Sequence, residues 1–474
     1  MKLRPPLPAG PYLVVGLARS GVAGAIALRE RGEEVIGVDG GAPDGLGALA
    51  DAGVELHLGE DGVALLDRVG AVVKSPGVPG EAPVIGAARA RGMPVLGELE
   101  LGWRLSENEV IAVTGTNGKT TTVELIGHIH RQAGLPVAVA GNVGAALSGF
   151  AGKIGSDVTV VCEASSFQLE DTLAFAPEAA VLLNIAPDHL DRHHGLDAYT
   201  KAKLEIFVRQ SAEDVAVTPV DLGVELPGTA RRVTFGERPD LRGGPLSASV
   251  TLSAGVVSWQ GEPLLRVEEI RLRGAHNVQN AMAAAAVCLA RGLDPDAVRA
   301  GLRTFAGVSH RLEEVAREDG VLYVNDSKAT NVASALVALE AFAGAGGPAV
   351  GSPIAGGLRP GARGARVVHL ILGGQGKGQD FSALRAPVER RCRGVYLIGE
   401  DAPALAAALA GIAAPVRECG DLEHALADAT AAAQAGDVVL LSPACASFDQ
   451  FADFEARGER FRELVGGGEA GPRA

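Results

Sequence analysis

The chain has 474 residues, 47% of them hydrophobic, a mean hydropathy of +0.19 and a formal charge of −14. That length exceeds one ordinary hydrophobic core and predicts two or three domains, and that hydrophobicity excludes a disordered chain outside the tails. The negative charge argues against a nucleic-acid partner, because phosphate backbones reward a basic surface, so an anionic ligand must be held by local devices such as helix ends.

The five cysteines, Cys162, Cys288, Cys392, Cys419 and Cys445, are odd in number, scattered and never in C-x-x-C spacing. Disulfides and zinc are both disfavoured. No charged segment leads into an apolar run near the start, and no uncharged stretch approaches about 18 apolar residues, so a cytoplasmic protein with no membrane insertion is expected.

In chain order, Tyr12-Leu13-Val14-Val15 runs into Gly16-Leu17-Ala18-Arg19-Ser20-Gly21 and a helical pattern through Arg31, and a second strand, Glu34 to Val38, ends on Asp39. A β-α-β unit with a glycine turn and a strand-end acid reads as a dinucleotide-type fold. Ala18 stands where the second glycine of G-x-G-x-x-G lets the backbone approach a pyrophosphate, so ordinary NAD binding is not expected. A modified nucleotide with its phosphates near Ser20 and Gly21 stays open, as does a unit without ligand. A further strand, Ala71 to Val73, ends in Lys74-Ser75-Pro76-Gly77 on the ligand edge of a parallel sheet, and Ser106 to Glu109 reads as a linker.

Next comes the apolar run Val110 to Val113, followed by Thr114-Gly115-Thr116-Asn117-Gly118-Lys119-Thr120-Thr121 and a helical pattern from Thr121 to His130. A buried strand, a two-glycine turn and a helix aim backbone N–H groups and the helix's positive end at one anion. Lys119 would reach the outer phosphates and Thr120 a Mg²⁺. The leading glycine comes late, which makes this phosphate loop shorter than the common form.

Two later strands end in polar residues. Val158 to Cys162 delivers Glu163, and Ala180 to Leu183 delivers Asn184 and the run to Asp191 that contains His189. Strand ends in such a sheet converge on the nucleotide, so Glu163 and His189 are expected beside metal or phosphate. His193 and His194 are expected at the surface. The helix Tyr199 to Val208 carries Lys201 and Lys203, for which a solvated face is the default. In the helix His276 to Arg291, Asn277 and Asn280 lie on one face, a pair of amides suited to adenine, with helix capping the alternative for Asn277.

From about Val308 the pattern restarts with Ser309-His310-Arg311 and the strand Val321 to Val324 before Asn325-Asp326-Ser327-Lys328-Ala329-Thr330-Asn331. Strands Val367 to Leu372, Gly394 to Gly399 and Val438 to Leu441 follow, the last leading to Ser442-Pro443-Ala444-Cys445-Ala446-Ser447, while Ala343 to Ala365 reads as an exposed insertion. The expected class is α/β with three domains: a Rossmann-like domain over 1–107, a central P-loop ATPase-like parallel-sheet domain over 108–307 and a Rossmann-like C-terminal domain over 308–474.

The loop Gly115 to Thr120, Glu163 with Ser165-Ser166-Phe167, Asn184 to Asp191, His276-Asn277, His310-Arg311, Asn325 to Asn331 and Ser442 to Phe451 resemble the Mur ligases in sequence and order. The resemblance spans nearly the whole chain. It implies an ATP-dependent ligase acting on ATP, UDP-N-acetylmuramoyl-L-alanine and D-glutamate, a monomer, with two Mg²⁺ ions. It further implies that Lys119, His189 and Lys203 are catalytic and that Thr120, Glu163, His189 and a carbamate on Lys203 hold metal. Gly115, Thr116, Asn117, Gly118, Lys119, Thr120, Thr121, Asn277, Asn280, Arg311 and Asp326 would bind ATP. Ser20, Asp39, Ser75 and Asn142 would face the UDP-substrate, and Lys328, Thr330, Lys377, Ser447 and Phe454 the D-glutamate.

Overall fold

The structure is a computed structural model that describes residues 2–466, apart from 44, 142–144, 189, 194, 238–248, 273, 343–366 and 377. The expected insertion Ala343 to Ala365 therefore lies outside the described residues. The chain packs as two compact units, Met1–Leu265 with Gln279–Arg303, and Arg266–Val278 with Thr304–Ala474.

The first unit holds two sheets. One contains β1 (Tyr12–Val15), β2 (Val35–Asp39), β3 (Glu55–Leu58), β4 (Ala71–Lys74) and β5 (Val95–Gly97), all parallel, in the order β3-β2-β1-β4-β5. Helix Arg19–Glu30 links β1 to β2, so the order reverses between β1 and β4, the place where an open α/β sheet leaves a crevice. Strands β3 and β5 escape a reading for apolar runs, since Glu55–Leu58 is a largely exposed edge and Val95–Gly97 has three residues.

The second sheet is built from β6 (Val110–Thr114), β7 (Val137–Gly141), β8 (Thr159–Glu163), β9 (Ala179–Leu182), β10 (Val215–Pro219), β11 (Arg231–Glu237), β12 (Ser249–Ser253), β13 (Val256–Trp259) and β14 (Glu262–Arg266). Their order is β14-β13-β12-β11-β10-β9-β6-β8-β7, parallel from β7 to β12 and antiparallel at β12–β13. All five residues of β6 are buried, as a strand covered on both faces requires. Truncating Val110 or Ile111 to Ala would cost roughly 2–4 kcal/mol.

Ser106 to Glu109 is not a loose linker. Ser106 and Asn108 are buried, and Asn108 Nδ2 donates to Gly155 O (2.7 Å) and Val158 O (2.9 Å), so this joint between the two sheets is packed and hydrogen-bonded. Polar composition suggested a linker because it does not reveal that these polar groups satisfy buried backbone.

The second unit's sheet contains β15 (Glu313–Glu318), β16 (Val321–Asn325), β17 (Val368–Gly373), β18 (Cys392–Ile398), β19 (Val416–Gly420) and β20 (Val438–Leu441). The order is β15-β16-β20-β17-β18-β19, parallel except at β15–β16. Strand β20 thus sits between β16 and β17, and the loops leaving these three strands become neighbours. Among the described residues no helix is long and apolar enough to cross a membrane.

Candidate active site

Strand order brings the phosphate loop and two polar strand ends together. Strand β6 lies between β8 and β9, so Thr114 at its end is flanked by Glu163 and by the segment that leads to Asn184. Helix Lys119–Gln132 begins two residues before the expected Thr121, behind Gly118 at φ +87°. A Cβ on Gly118 would stand 2.2 Å from Asn280 Oδ1, so only glycine fits between this loop and that amide.

Asn184 staples the loop: its Oδ1 accepts from Thr116 N (3.1 Å) and Asn117 N (2.9 Å), and its Nδ2 donates to Asn117 O (3.1 Å). Thr116 Oγ1 donates to Ala186 O (3.1 Å) and lies 3.2 Å from Tyr199 Oη. Lys119 arches back over the loop, its Nζ donating to Gly115 O and Thr116 O at 3.0 Å each. Thr121, two positions further along the helix than Lys119, is half-buried.

Thr120 Oγ1 donates to Glu163 Oε2 at 2.8 Å, and both residues are buried. A hydroxyl and a carboxylate are hard oxygen donors of the kind Mg²⁺ takes, usually together with water and substrate phosphate. Among the described residues no group of three or more His, Cys, Asp or Glu gathers to hold a metal ion. His189 lies outside the described residues.

Of the two lysines on helix Leu196–Val208, Lys201 is exposed, whereas Lys203 is 1% exposed, contrary to the solvated default. Its Nζ donates to Gly115 O at 2.8 Å and stands 4.4 Å over the Tyr199 ring. Burial, helped by the charge of Lys119 and opposed by Asp188 and Glu163, lowers its pKa to about 7.

His193 corrects a second expectation, since it is buried rather than on the surface. Its Nε2 lies 2.9 Å from Ser166 Oγ, and its ring stacks on Phe167 and meets Tyr199 edge-on. The short helix Leu190–His193 turns the imidazole inward. His194 lies outside the described residues. Asn280 and Asn277 are both buried on helix Ala275–Ala290.

At the crevice of the first sheet, Asp39 and Ser75 act as fasteners. Asp39 Oδ2 accepts from Leu17 N (2.7 Å) and Oδ1 from Gly41 N (2.8 Å), while Ser75 Oγ donates to Gly16 O (2.6 Å). Ser20 is half-buried in the first turn of helix Arg19–Glu30, and a cleft of about 450 Å³ opens along that helix, lined by Ala18, Arg19, Val22, Pro43 and Lys153 among others. Asn142 lies outside the described residues.

In the second unit, Asp326 follows β16 and Ser442 follows β20. Asp326 Oδ2 accepts from Ser442 Oγ (2.8 Å) and Oδ1 from Leu312 N (3.2 Å), and burial pushes its pKa up to about 7 against those two hydrogen bonds and the charge of Arg311. His310 (φ +61°) and Leu312 (φ +44°) flank the exposed Arg311, and two non-glycine residues in the left-handed region around one side chain mark backbone held in place by its surroundings. Lys328 Nζ stands 5.1 Å over the Phe454 ring, Thr330 N donates to Lys328 O (2.9 Å), and the buried Ser447 accepts at its carbonyl from Phe451 N (2.8 Å). Lys377 lies outside the described residues.

Arg457 escaped the sequence reading. It is 1% exposed on helix Phe454–Val465 and donates to Ser327 Oγ and O, Cys445 O, Ala446 O and Gly373 O at 2.9–3.4 Å. One guanidinium thereby ties together the loops after β16, β17 and β20. Burial lowers its pKa to about 10. Its position three residues past Phe454 on an aspartate-capped helix, facing the same way, was the available signal.

Comparison with known proteins finds three family models in order along the chain. The model of the Mur ligase MurD-like N-terminal domain matches residues 11–97, that of the Mur ligase middle domain 113–288, and that of the Mur ligase glutamate ligase domain 310–445. Among curated relatives, the UDP-N-acetylmuramoylalanine--D-glutamate ligase of Pelotomaculum thermopropionicum is 40% identical, covering 96% of both chains. That of Myxococcus xanthus is 42% identical, covering 96% of this chain and 97% of the relative. Among solved structures, UDP-N-acetylmuramate-alanine ligase MurC from Thermotoga maritima shares the fold at a TM-score of 0.58 and 20% identity, covering 97% of this chain and all of its own. MurF from Acinetobacter baumannii does so at a TM-score of 0.57 and 17% identity, covering 95% and 93%.

Proposed function

Because the chain belongs to the Mur ligase family, we propose that it joins D-glutamate to UDP-N-acetylmuramoyl-L-alanine, driven by ATP, in cytoplasmic synthesis of peptidoglycan precursor. The observation that carries this reading is the 40–42% identity, along 96% of the chain, to relatives that bear the name of that ligase. The enzyme works as a monomer, its first sheet taking the UDP-substrate, its second ATP and its third the amino acid.

A carboxylate is a poor acyl donor because its leaving group would be oxide. The alanyl carboxylate therefore attacks the γ-phosphorus of ATP, giving an acyl phosphate and ADP. The amine of D-glutamate attacks the acyl carbon and loses a proton, and inorganic phosphate leaves. The first step brings two anions together, so cations must sit between them. Lys119 faces the outer phosphates and Arg311 the charge on the phosphoryl group in flight.

Thr120 and Glu163 would hold one Mg²⁺, and His189 and a carbamate on Lys203 would hold a second. When bound, these ions supply positive charge between carboxylate and triphosphate. The low pKa of Lys203 supports its role, because a partly neutral amine adds CO₂ and sheds a proton near neutrality. Asn277, Asn280 and Asp326 receive adenine and ribose. Lys328, Thr330, Lys377, Ser447 and Phe454 would bind D-glutamate, whose two carboxylates suit two lysines.

Oxygen-18 in the alanyl carboxylate tests the intermediate. One labelled oxygen per turnover appears in the released phosphate if the acyl phosphate forms, and unlabelled phosphate contradicts it.

A further inference from the structure

The segment that follows Glu163 does not return straight to its own sheet. After helix Ser166–Leu169 it passes Asp171 and runs to Phe175 along elements of the first sheet. Gly97 N donates to Asp171 O at 2.9 Å. The buried Glu100 accepts from Leu173 N (3.2 Å), Ala174 N (3.0 Å) and Phe175 N (2.8 Å).

At the start of this stretch stands a buried ion pair. Lys74 Nζ donates to Asp171 Oδ2 at 2.6 Å, with side chains 1% and 3% exposed, and Arg89 Nη2 reaches Asp171 Oδ1 at 3.1 Å. Lys74 ends β4 and is the neighbour of Ser75, whose hydroxyl fastens to Gly16 O. Asp171 follows the helix that leaves Glu163, and Arg192 Nη2 adds a second tie, donating to Pro76 O (3.1 Å) and Val78 O (3.2 Å).

A buried ion pair contributes little net stability, because desolvating two charges offsets most of their attraction. What it does give is a fixed distance between the parts it joins. We propose that Lys74 and Asp171 are positioning residues that hold the Ser75 loop of the first sheet in register with the Glu163 segment of the second. The pair then sets the distance between the nucleotide end of the muramoyl substrate and the place where its carboxylate meets the γ-phosphate. This rests on the proposed placement of Ser75 beside the UDP-substrate and Glu163 beside ATP. A misplacement of about 1 Å in such a bridge costs on the order of 100-fold in rate.

The test compares Lys74→Arg, Lys74→Met and the double variant Lys74→Met with Asp171→Leu, each by thermal melting, by kcat and by KM for each substrate. The double variant leaves no buried charge uncompensated, since Arg89, which also loses Asp171, is half exposed, and it should fold. Expected is a melting point near the parent's, a KM for the muramoyl nucleotide raised at least tenfold, a kcat lowered at least tenfold and an unchanged KM for ATP. Lys74→Arg, which keeps the pair, should stay within about threefold of the parent. Parental kinetics in the folded double variant would overturn the proposal, as would a Lys74→Arg variant no better than Lys74→Met. A parent that releases no phosphate with D-glutamate would instead overturn the reading of the reaction, and the proposal with it.

Discussion

The hydroxyl of Thr120 and the carboxylate of Glu163 meet across 2.8 Å, joining the first turn of the phosphate-loop helix to the end of the adjacent strand. Each belongs to a different strand–loop unit, and parallel neighbours β6 and β8 bring them together. Two hard oxygen donors held this way suit the Mg²⁺ proposed above.

Glu163→Gln preserves an acceptor for the Thr120 hydroxyl while removing the negative charge. The expected outcome is a melting point within a few degrees of the parent, a kcat about 10²–10³ lower and a Mg²⁺ dependence shifted to higher concentration. Initial rates across a Mg²⁺ titration check it. Parental rates at low Mg²⁺ would remove Glu163 from the metal site.

Lys203→Ala takes away a buried amine that, among the described residues, donates to Gly115 O. Phosphate release should fall at least 100-fold with little loss of stability. Lys203→Arg should not restore it, because a guanidinium stays charged and cannot become a carbamate. Carbon-13 spectra of the parent in labelled bicarbonate should show a carbamate carbon that the Lys203→Ala variant lacks.

Asp326 couples stability to pH. Its folded pKa, about 7, lies above the ordinary value of 3.8, so between those values the folded chain holds more protons and stability falls as pH rises. Above about 7 the full penalty is present. Asp326→Asn can keep both hydrogen bonds, with Oδ1 accepting from Leu312 N and Nδ2 donating to Ser442 Oγ. Denaturant unfolding should show the variant more stable than the parent at pH 8 and no more stable near pH 4, while its affinity for ATP drops at least tenfold. A pH-independent difference would contradict the assignment.

Arg457→Met should be costly in two ways. Removing the guanidinium leaves the carbonyls of Ser327, Cys445, Ala446 and Gly373 without this donor, at about 3–5 kcal/mol. The loops it ties carry the proposed D-glutamate residues, so KM for D-glutamate should rise at least tenfold with KM for the muramoyl nucleotide unchanged. Arg457→Lys, which retains the charge and part of the network, should fall between. Equal effects on both KM values would argue for a general loss of fold.

The α/β class and its three parallel-rich sheets were legible because buried parallel strands read as apolar runs, as Tyr12–Val15, Val110–Thr114 and Val438–Leu441 do. The edge strand Glu55–Leu58 was not, since its four residues, two of them polar, form no apolar run. The phosphate loop announced itself through Gly115 and Gly118. Its meeting with Glu163 and Asn184 is a fact of strand order, which local sequence does not encode. Burial was equally hidden. Lys203 and Lys201 look alike in sequence, yet a helix presents residues two apart to different surroundings, and only Lys203 faces the loop. The Lys74–Asp171 pair and the five hydrogen bonds of Arg457 span 97 and up to 130 residues of chain, and no spacing rule reaches that far.

The most direct test of the account is phosphate release from ATP with UDP-N-acetylmuramoyl-L-alanine present, offering D-glutamate, L-glutamate, L-alanine and a diamino acid in parallel. The account predicts stimulation by D-glutamate alone. Stimulation by another amino acid, or no release with any of them, would contradict it.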